Sequence, residues 1–470
     1  MRASYLAIAV AAALSSGCVV GPNYKRPDVA VPTSFRAPEP LPEEKAASLA
    51  DLKWFDVFHD EQLQALIRTA LAGSYDLRDA VTRVEQARAN LGVARSNQLP
   101  QLNATGSMNV TRISRGSFTI PDSIPLQQNI NYGQAGLNLL SFELDIWGRL
   151  RRATEAARAN LLNAEENRKA VVSTLVSDVT SDYLQLRELD YQLEISERTL
   201  QNRQEFLKLT QARQAGGVAT VLDLWQAEQL VDTAAASIPT LKQQIEQSEN
   251  EISLLLGQNP GTVVRGRSLL EQDLSPEVPP GLPSALLERR PDIRVAEQAL
   301  IAANANIGVA KAAYFPQISL SGLVGGESSQ LTSLFSAPNR TWNFVPQITQ
   351  PIFAGGRIKS NVRLAKAQYD QAEVAYEKAI QTAFREVSDA LIAHERTRES
   401  RLEQEKLVKA LENRKRAAYV RYQGGVDTLL NALDADNDLF QAELTLAQTR
   451  YSELASVVQL YKALGGGWQE

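Results

Sequence analysis

Two long stretches of the chain, residues 149–215 and 357–423, contain neither glycine nor proline. Apolar residues recur within them in alternating steps of four and three, the period of a helix packed against other helices. In the first stretch these residues are Val172, Val176, Val179, Tyr183, Leu186, Leu193, Leu200 and Leu207. The second stretch repeats the stepping at Ile380, Phe384, Val387 and Leu391. Each stretch predicts one helix, which at 1.5 Å per residue would be roughly 100 Å long.

A pair of glycines follows each stretch, Gly216-Gly217 in one case and Gly424-Gly425 in the other. Glycine tolerates the left-handed conformation that commonly ends a helix. We expect the chain to turn at both pairs and to return as helices over residues 218–256 and 426–464. Pro239 lies inside the first returning helix and predicts a kink there.

A different period precedes each long stretch. Apolar or small residues alternate with polar ones over residues 102–111 and again over 317–324. This alternation predicts strands with one face toward lipid and the other toward water. Return strands are expected at 133–145 and 342–353. Two prolines, Pro346 and Pro351, weaken the last of these, because proline suits strand edges and bends.

The same order of elements occurs twice because the chain contains an internal duplication. Gly92-Val93-Ala94 recurs 216 residues later as Gly308-Val309-Ala310. Beyond the strands the offset is 208, and Gly148-Arg149 recurs as Gly356-Arg357. An offset that stays constant over long distances predicts two copies of one structural unit.

Four strands per chain cannot close a barrel, since roughly eight is the smallest number that fills its own interior. An open sheet edge in lipid would leave backbone polar groups unpaired. We therefore expect a cyclic oligomer, and three copies would supply twelve strands, an even number in the usual range. The expected fold class is an α+β membrane protein. Its long α-helical hairpins would form the wall of a tube, and four strands per chain would build the shared 12-stranded β-barrel of a trimer.

The first residues predict a lipoprotein signal peptide over residues 1–17. A short positive start is followed by an apolar run too short to span a bilayer and then by small residues. Cys18, the only cysteine, resembles the lipobox cysteine whose thiol receives diacylglycerol. Val19 is not the aspartate that usually retains such lipoproteins in the inner membrane, so an outer-membrane lipid anchor on Cys18 is expected. The alternative is a signal peptide with an incidental cysteine.

Composition narrows the remaining classes. The formal net charge is -5 at pH 7, which leaves no basic footprint and argues against nucleic acid as a partner. A single cysteine excludes a disulfide within the chain and a cysteine-based metal site. The two histidines, His59 and His394, have no histidine or cysteine near them in the sequence. We therefore expect no metal site, and no cofactor other than the lipid on Cys18.

Two further signals argue against chemistry in this chain. Phosphate loops and nucleophile elbows do not occur in the sequence, so we expect that the protein is not an enzyme. Asp434, Asp436 and Asp438 resemble the start of a calcium loop, but Leu439 stands where that loop needs glycine. The three aspartates are interpreted as a solvated helix face.

Four local motifs carry a resemblance to a known family. They are Gly21-Pro-Asn-Tyr-Lys-Arg-Pro27, Trp54 with Phe58, Asp60 and Leu63, Glu143-Leu-Asp-Ile-Trp-Gly-Arg149, and Arg289-Arg-Pro-Asp-Ile-Arg294. Together they resemble the TolC-like outer-membrane efflux family, in particular its lipid-anchored NodT-type branch, over nearly the whole mature chain. The resemblance implies a homotrimeric channel in the cell outer membrane, joined to an α-helical tunnel that reaches into the periplasm. It also implies two partners, a periplasmic adaptor (membrane fusion) protein and an inner-membrane efflux pump, which in this family is commonly of the resistance-nodulation-division type.

The resemblance also implies a gate at the periplasmic end of the tunnel. Tyr422 matches a tip tyrosine of the family, Asp223 matches its hydrogen-bonding partner, and Asp434 matches an acidic residue that rings the constriction. Three carboxylates on one axis would attract cations and resist closure. Asn431 and Asp427 depart from the TolC pattern, which predicts a thinner acidic ring. The glycine turns at the hairpin tips, Gly216, Gly217, Gly424 and Gly425, are expected to contact the adaptor.

The expected domains follow the duplication. They are a signal peptide at 1–17, an N-terminal extended segment and equatorial entry at 18–72, a first structural repeat at 73–280 and a second at 281–470. The alternative function is a lipid-anchored periplasmic coiled-coil scaffold. A scaffold would share the signal, Cys18 and the heptads, but it would have no reason to carry two sets of alternating strands.

Overall fold

The computed structural model describes residues 19–37, 48–114, 128–272 and 283–468. Within these ranges the helices are α1 Trp54–Val57, α2 Glu61–Gly73, α3 Tyr75–Ser96, α4 Arg149–Ala215, α5 Val221–Leu255, α6 Leu286–Arg289, α7 Pro291–Ala312, α8 Arg357–Gln423 and α9 Leu429–Ala463. The strands are β1 Leu102–Arg112, β2 Asn129–Glu143, β3 Gln317–Ser328 and β4 Arg340–Thr349. The expected signal peptide (1–17) and Cys18 lie outside the described residues, and both stay predictions.

Helices α4 and α8 coincide with the two stretches that lack glycine and proline, and each has 67 residues. The returning helices α5 and α9 have 35 residues each. Both predicted helical hairpins are therefore confirmed, and we call α4 with α5 the first hairpin and α8 with α9 the second hairpin. Pro239 lies inside α5, which continues past it as one helix, so the expected kink stays a prediction.

The four strands form one antiparallel sheet in the order β1-β2-β3-β4. The duplication thus places two strand hairpins side by side, joined between β2 and β3. A β-bulge interrupts that joint, because Leu139 pairs with Gly322 but Phe142 pairs with Leu320. The predicted strands are confirmed with shifted ends. β2 begins at Asn129, and β4 stops at Thr349, before Pro351.

One face of the sheet is apolar and exposed. Paired residues of neighbouring strands lie on the same face, so the register assigns every residue to one side. Eight large apolar side chains on this side are between 58% and 77% exposed. They are Leu102, Met108, Val110, Leu137, Val324, Trp342, Phe344 and Ile348, and we call this side the apolar face. The alternation seen in the sequence therefore holds across all four strands.

The chain forms two compact units. The first comprises the described parts of Met1–Pro27, Glu85–Asn163 and Ala296–Ala375, which include the whole sheet. In this unit the Gly21–Pro27 motif binds both repeats. The guanidinium of Arg152 on α4 donates to the side-chain oxygen of Asn23 at 2.8 Å, and Arg26 donates two hydrogen bonds of 2.7 Å to Glu297 on α7. The motif thus connects the first repeat to the second through side-chain hydrogen bonds.

The second unit comprises the described parts of Asp28–Val84, Ala164–Val295 and Tyr376–Glu470. Its core contains Asp60, which is only 2% exposed and is the N-cap of α2. The Asp60 carboxylate accepts hydrogen bonds from the Tyr183 hydroxyl at 3.0 Å and the Gln272 amide at 2.8 Å. It also accepts from the backbone of Arg267 at 2.9 Å. The motif of Trp54, Phe58, Asp60 and Leu63 thus combines three side chains of the hydrophobic core with one buried, hydrogen-bonded carboxylate.

Within the Arg289–Arg294 motif, Arg290 makes the contacts to the second hairpin. Its side chain is buried and donates to Asp292 and to Glu386 of α8, both at 2.6 Å. It also donates to the backbone oxygen of Ala463, at the end of α9, at 2.9 Å. The motif thus ties the start of the second repeat to both helices of the second hairpin.

Among the helices in the described ranges, none is both long and apolar enough to cross a membrane.

Candidate functional site

The ends of the two hairpins, where the gate and the adaptor contact are expected, share one turn geometry. Gly217 and Gly425 have φ values of 75° and 72°, the left-handed conformation in which glycine carries no steric cost. The backbone of Val218 donates to the oxygen of Arg213 at 2.8 Å, and Val426 donates to Arg421 at 3.0 Å. These six-residue closures satisfy carbonyls at the helix ends. Only the second glycine of each pair adopts the left-handed conformation.

In the first hairpin, Asp223 is engaged in capping α5. Its carboxylate accepts from the backbone of Thr220 at 2.7 Å and from the Thr220 hydroxyl at 2.8 Å. Thr220 in turn accepts from the backbone of Asp223, which completes a capping box. Within the described residues no hydrogen bond joins Asp223 to Tyr422, so one chain does not by itself bring these two predicted gate residues together.

In the second hairpin, the carboxylate of Asp427 accepts the hydrogen bonds that hold the turn. Its carboxylate accepts from the amide of Asn431 at 2.6 Å, from the guanidinium of Arg421 at 3.0 Å and from the backbone of Thr428 at 2.8 Å. The bonds from Asn431, then Arg421 and Thr428, lower the pKa of Asp427. The two departures from the TolC pattern, Asn431 and Asp427, are therefore partners of each other.

Tyr422 joins the two hairpins through its ring. It is 7% exposed, and its ring centroid lies 5.9 Å from that of Phe206 on α4. The guanidinium of Arg213, also on α4, lies 4.8 Å from the Tyr422 centroid, which is within cation–π range. Leu429 and Leu433 of α9 complete the same apolar cluster. The expected gate tyrosine is thus placed at the contact between the hairpins, held by packing.

The three aspartates of α9 have different environments. Asp434 is exposed and has no ion-pair partner within the described residues. Asp438 is exposed and paired with Arg414. Asp436 is 2% exposed and binds Arg203 and Lys415. The interpretation as a solvated face was therefore wrong for Asp436, because Arg203 of α4 and Lys415 of α8 pack against its side of α9.

Asp436 lies in a polar centre that contacts all four hairpin helices. Arg203 of α4 donates to Asp436 and, at 2.9 Å, to the backbone oxygen of Leu230 on α5. Lys415 of α8 reaches the other carboxylate oxygen at 2.6 Å. The Cζ atom of Arg203 also lies 5.0 Å from the ring centroid of Phe440. Sequence reasoning missed this centre, because the pairing joins residues 233 positions apart.

Two carboxyl groups on α4 have perturbed acidities. Burial raises the pKa of Glu188 to about 7, against the opposing hydrogen bond from Gln192. Burial, with the charges of Glu251 and Asp178, raises the pKa of Asp182 to about 6. Neither group was singled out from the sequence, where both occupy ordinary positions in a helical pattern.

The histidines show no metal-binding arrangement. A ring nitrogen of His394 lies 3.2 Å from the hydroxyl of Ser456, and burial lowers the pKa of His394. Across the described ranges, no group of three or more histidine, cysteine, aspartate or glutamate residues is placed to hold a metal ion.

Known proteins of similar sequence and structure span the whole chain. The family profile described as "Outer membrane efflux protein" matches residues 66–258 and 282–466. The "Probable efflux pump outer membrane protein TtgC" of Pseudomonas putida is 38% identical, and the match covers 100% of this chain and 97% of that protein. The "Cation efflux system protein CusC" of Escherichia coli K12 is 36% identical, with 98% and 99% covered.

Solved structures show the same arrangement of elements. The outer-membrane channel OprN superposes with a TM-score of 0.89 at 31% identity, and the match covers 96% of this chain and 100% of that one. A CusC structure superposes with a TM-score of 0.85 at 35% identity, covering 96% and 100%. Helical hairpins, a four-stranded sheet and this likeness define an outer-membrane channel as the class of protein.

The chain belongs to the outer membrane efflux protein family. The expected fold class, the efflux function and the outer-membrane location are thereby confirmed. The family is one of transport proteins, which agrees with the expectation of a channel.

Proposed function

We propose that the protein is a homotrimeric export duct that conducts substrates from an inner-membrane pump and a periplasmic adaptor to the exterior. The observation that carries this proposal is the sheet. It exposes one apolar face, and within the described residues its edge strands β1 and β4 are paired on one side only. An apolar face suits lipid, and strands in lipid require partners on both sides. Three copies would complete twelve strands and turn the apolar face outward.

The adaptor is proposed to bind the hairpin tips around Gly216, Gly217, Gly424 and Gly425. Apolar side chains cluster in both turns and remain exposed. In the first hairpin Val218, Leu222 and Trp225 are 70%, 65% and 61% exposed, and in the second Val426 is 66% exposed. Contiguous exposed apolar surface marks interaction sites in soluble regions of proteins. A resistance-nodulation-division pump would then supply the energy.

The gate is proposed to consist of Tyr422, Asp434 and Asp223. Tyr422 holds the second hairpin against α4, so its contact must loosen if the second hairpin moves. Asp434 presents a carboxylate to solvent, and in a trimer three such groups would face one axis. Such a ring favours cations through repulsion of anions. Asp223 stiffens the turn of the first hairpin by capping α5.

The pump, not the duct, is proposed to select the cargo. The names of related proteins refer to toluene in one case and to cations in another. One fold therefore serves chemically different substrates in these relatives. A covalent lipid on Cys18 is proposed as an additional anchor, supported by the residues that precede Cys18.

Single-channel recording in planar bilayers tests the duct. The purified protein should conduct, and Asp434→Asn should reduce its selectivity for cations over anions. Asp438→Asn is the matched control, since Asp438 is also exposed on the same helix but is already paired with Arg414. A folded trimer that never conducts would reject the duct and favour the lipid-anchored scaffold. Equal loss of selectivity in both variants would reject Asp434 as the pore carboxylate.

A further inference from the structure

The sheet has two open edges whose pairing the duplication predicts residue by residue. β1 and β4 are the outer strands, and in the described part of the chain each is hydrogen-bonded to one neighbour. Pairing β4 of one copy with β1 of a second copy would complete both edges. The inference below rests on the proposed function, namely that copies close a sheet in the outer membrane, and adds the register of their joint.

The apolar face limits that register. In β1 and β4 the apolar face carries even-numbered residues, such as Met108 and Ile348. Directly opposite residues of neighbouring strands point to the same side. A slip of one residue would therefore set Ile348 beside the polar side of β1, which carries Asn109 and Thr111. Only registers that pair even with even positions keep the lipid-facing surface continuous.

The internal duplication selects one of the registers that pair even with even positions. β1 corresponds to β3 with the offset of 216, so Gly106 is equivalent to Gly322. Within the strand hairpins, Leu102 pairs with Leu139, and Ile318, the equivalent of Leu102, pairs with Ile348. Leu139 is therefore equivalent to Ile348, 209 positions later.

The bulge accounts for the different offset beyond the strands. Gly148 is equivalent to Gly356, which lies only 208 positions later. The extra residue of β2 sits in the bulge between Leu139 and Phe142. β4 pairs with β3 without any such shift. The joint between copies should therefore run without a bulge, unlike the joint between the two repeats of one chain.

We propose that β4 pairs antiparallel with β1 of a second copy. The register follows from the β2–β3 pairing when each β2 residue is replaced by its equivalent in β4 and each β3 residue by its equivalent in β1. Leu139 opposite Gly322 becomes Ile348 opposite Gly106. Gly136 opposite Gly325 becomes Val345 opposite Asn109. Phe142 opposite Leu320, taken beyond the bulge, becomes Gln350 opposite Ala104, which is the same register. The translations on both sides of the bulge agree, and both pair even with even positions.

The register has a consequence at the far end of the joint. Trp342 comes to lie opposite Arg112 of the second copy, and both lie on the apolar face. Trp342 is 77% exposed in one chain. Tryptophan is enriched at membrane–water interfaces, and a guanidinium over its ring is attracted to the ring quadrupole. The joint would thus end at an aromatic–cation pair where β4 begins.

Disulfide crosslinking tests the register. Asn109→Cys with Val345→Cys, and separately Thr105→Cys with Thr349→Cys, place cysteines opposite each other on the polar face. Opposite residues lie about 4.5–5.5 Å apart between Cα atoms, within the range of a disulfide. Within one chain the same residues are three strand spacings apart, roughly 14 Å, and cannot be bridged. Mild oxidation should convert both variants to covalent trimers that a thiol reductant returns to monomers.

The matched controls shift the register by two residues. Ser107→Cys with Val345→Cys, and Thr111→Cys with Val345→Cys, keep the same face but set the Cα atoms at about 7–8 Å, beyond disulfide reach. The wild-type protein controls for Cys18. Both register-shifted variants and the wild-type protein are expected to run as monomers after denaturation. Equal or better crosslinking in a shifted pair would overturn the proposed register while leaving a shared sheet intact.

Folding is read separately, by the change in gel migration on heating. If trimers form but neither in-register pair crosslinks, the joint is not built from these edges, and the inference is wrong. The variant Thr105→Cys with Thr349→Cys nearly preserves side-chain size. It tests the register if the variant Asn109→Cys with Val345→Cys does not form trimers. If the wild-type protein forms no trimers, the proposed function itself fails together with the register.

Discussion

Arg203 donates a 2.7 Å hydrogen bond from Nε to Oδ2 of Asp436, and both side chains are 2% exposed. The contact joins the first hairpin to the second, and Lys415 adds a second positive charge at 2.6 Å. One carboxylate thus compensates two buried or half-buried cations. The hairpins of one chain are held by this polar centre as well as by the apolar packing around Tyr422.

Asp436→Ala should destabilise the protein strongly. Removing one partner of a buried pair leaves the other charge uncompensated, at a cost of about 3–5 kcal/mol. The measurement is the free energy of unfolding in detergent, from denaturant titration. Asp438→Ala breaks the exposed pair with Arg414 on the same helix and should cost no more than about 1 kcal/mol. Similar losses in both variants would show that the Asp436 centre does not hold the hairpins together.

Tyr422→Phe and Tyr422→Ala should behave differently. Phenylalanine keeps the ring that packs on Phe206 and faces Arg213, whereas alanine removes it and leaves a cavity costing about 3 kcal/mol or more. We expect the alanine variant to show larger and steadier single-channel currents and the phenylalanine variant to resemble wild type. A large effect of Tyr422→Phe would instead assign the gating contact to the hydroxyl group, and so to a partner outside this ring cluster.

Stability should fall as the pH rises toward neutrality. Burial raises the pKa of Glu188 from its ordinary value of 4.5 to about 7, so the folded protein binds the proton more tightly than the unfolded chain. The contribution is fully present below about pH 4.5 and is lost as the pH rises through 7. Denaturant midpoints measured from pH 6 to 8 should show this decline, and Glu188→Gln should reduce it. Asp182, whose pKa burial raises to about 6, adds a decline of the same sign at lower pH, and Glu188→Gln leaves that part in place.

Glu194→Gln is the control for the Glu188 experiment. Glu194 lies on the same helix but is exposed, so its substitution should leave the pH dependence of the midpoint unchanged. A wild-type midpoint that stays constant from pH 6 to 8, or a decline in this range that Glu188→Gln leaves undiminished, would contradict the assignment.

Asp60→Asn should lower the yield and the melting temperature of the folded protein. Burial alone would raise the pKa of Asp60, but hydrogen bonds from Gln272, Tyr183 and two backbone groups outweigh it, so the pKa is lowered. An asparagine amide would turn one acceptor into a donor facing other donors, at a cost of about 1–3 kcal/mol. Glu61→Gln, at the next position and exposed, should have little effect. Equal melting temperatures for wild type and Asp60→Asn would refute the role of this carboxylate.

The periodic elements of this protein were predictable from the sequence because they depend on local patterns. The absence of glycine and proline over residues 149–215 and 357–423 matched α4 and α8 at both ends. The alternation in β1 and β3 predicted the apolar face, since side chains in a strand alternate between two sides whatever surrounds them. The glycine pairs marked both hairpin turns, because glycine alone enters the left-handed conformation without cost.

The tertiary structure decided which polar residues are buried and with what partners. Asp434, Asp436 and Asp438 look alike in the sequence, yet only Asp436 faces Arg203, because that depends on how α4 and α9 are aligned. The bulge between Leu139 and Phe142 changes the distance between equivalent residues of the two repeats by only one, from 209 to 208 positions, and the sequence alone does not locate it. Local patterns determine helices, strands and turns through backbone preferences. Long-range pairing determines burial and register, because the contacts join residues far apart in the chain.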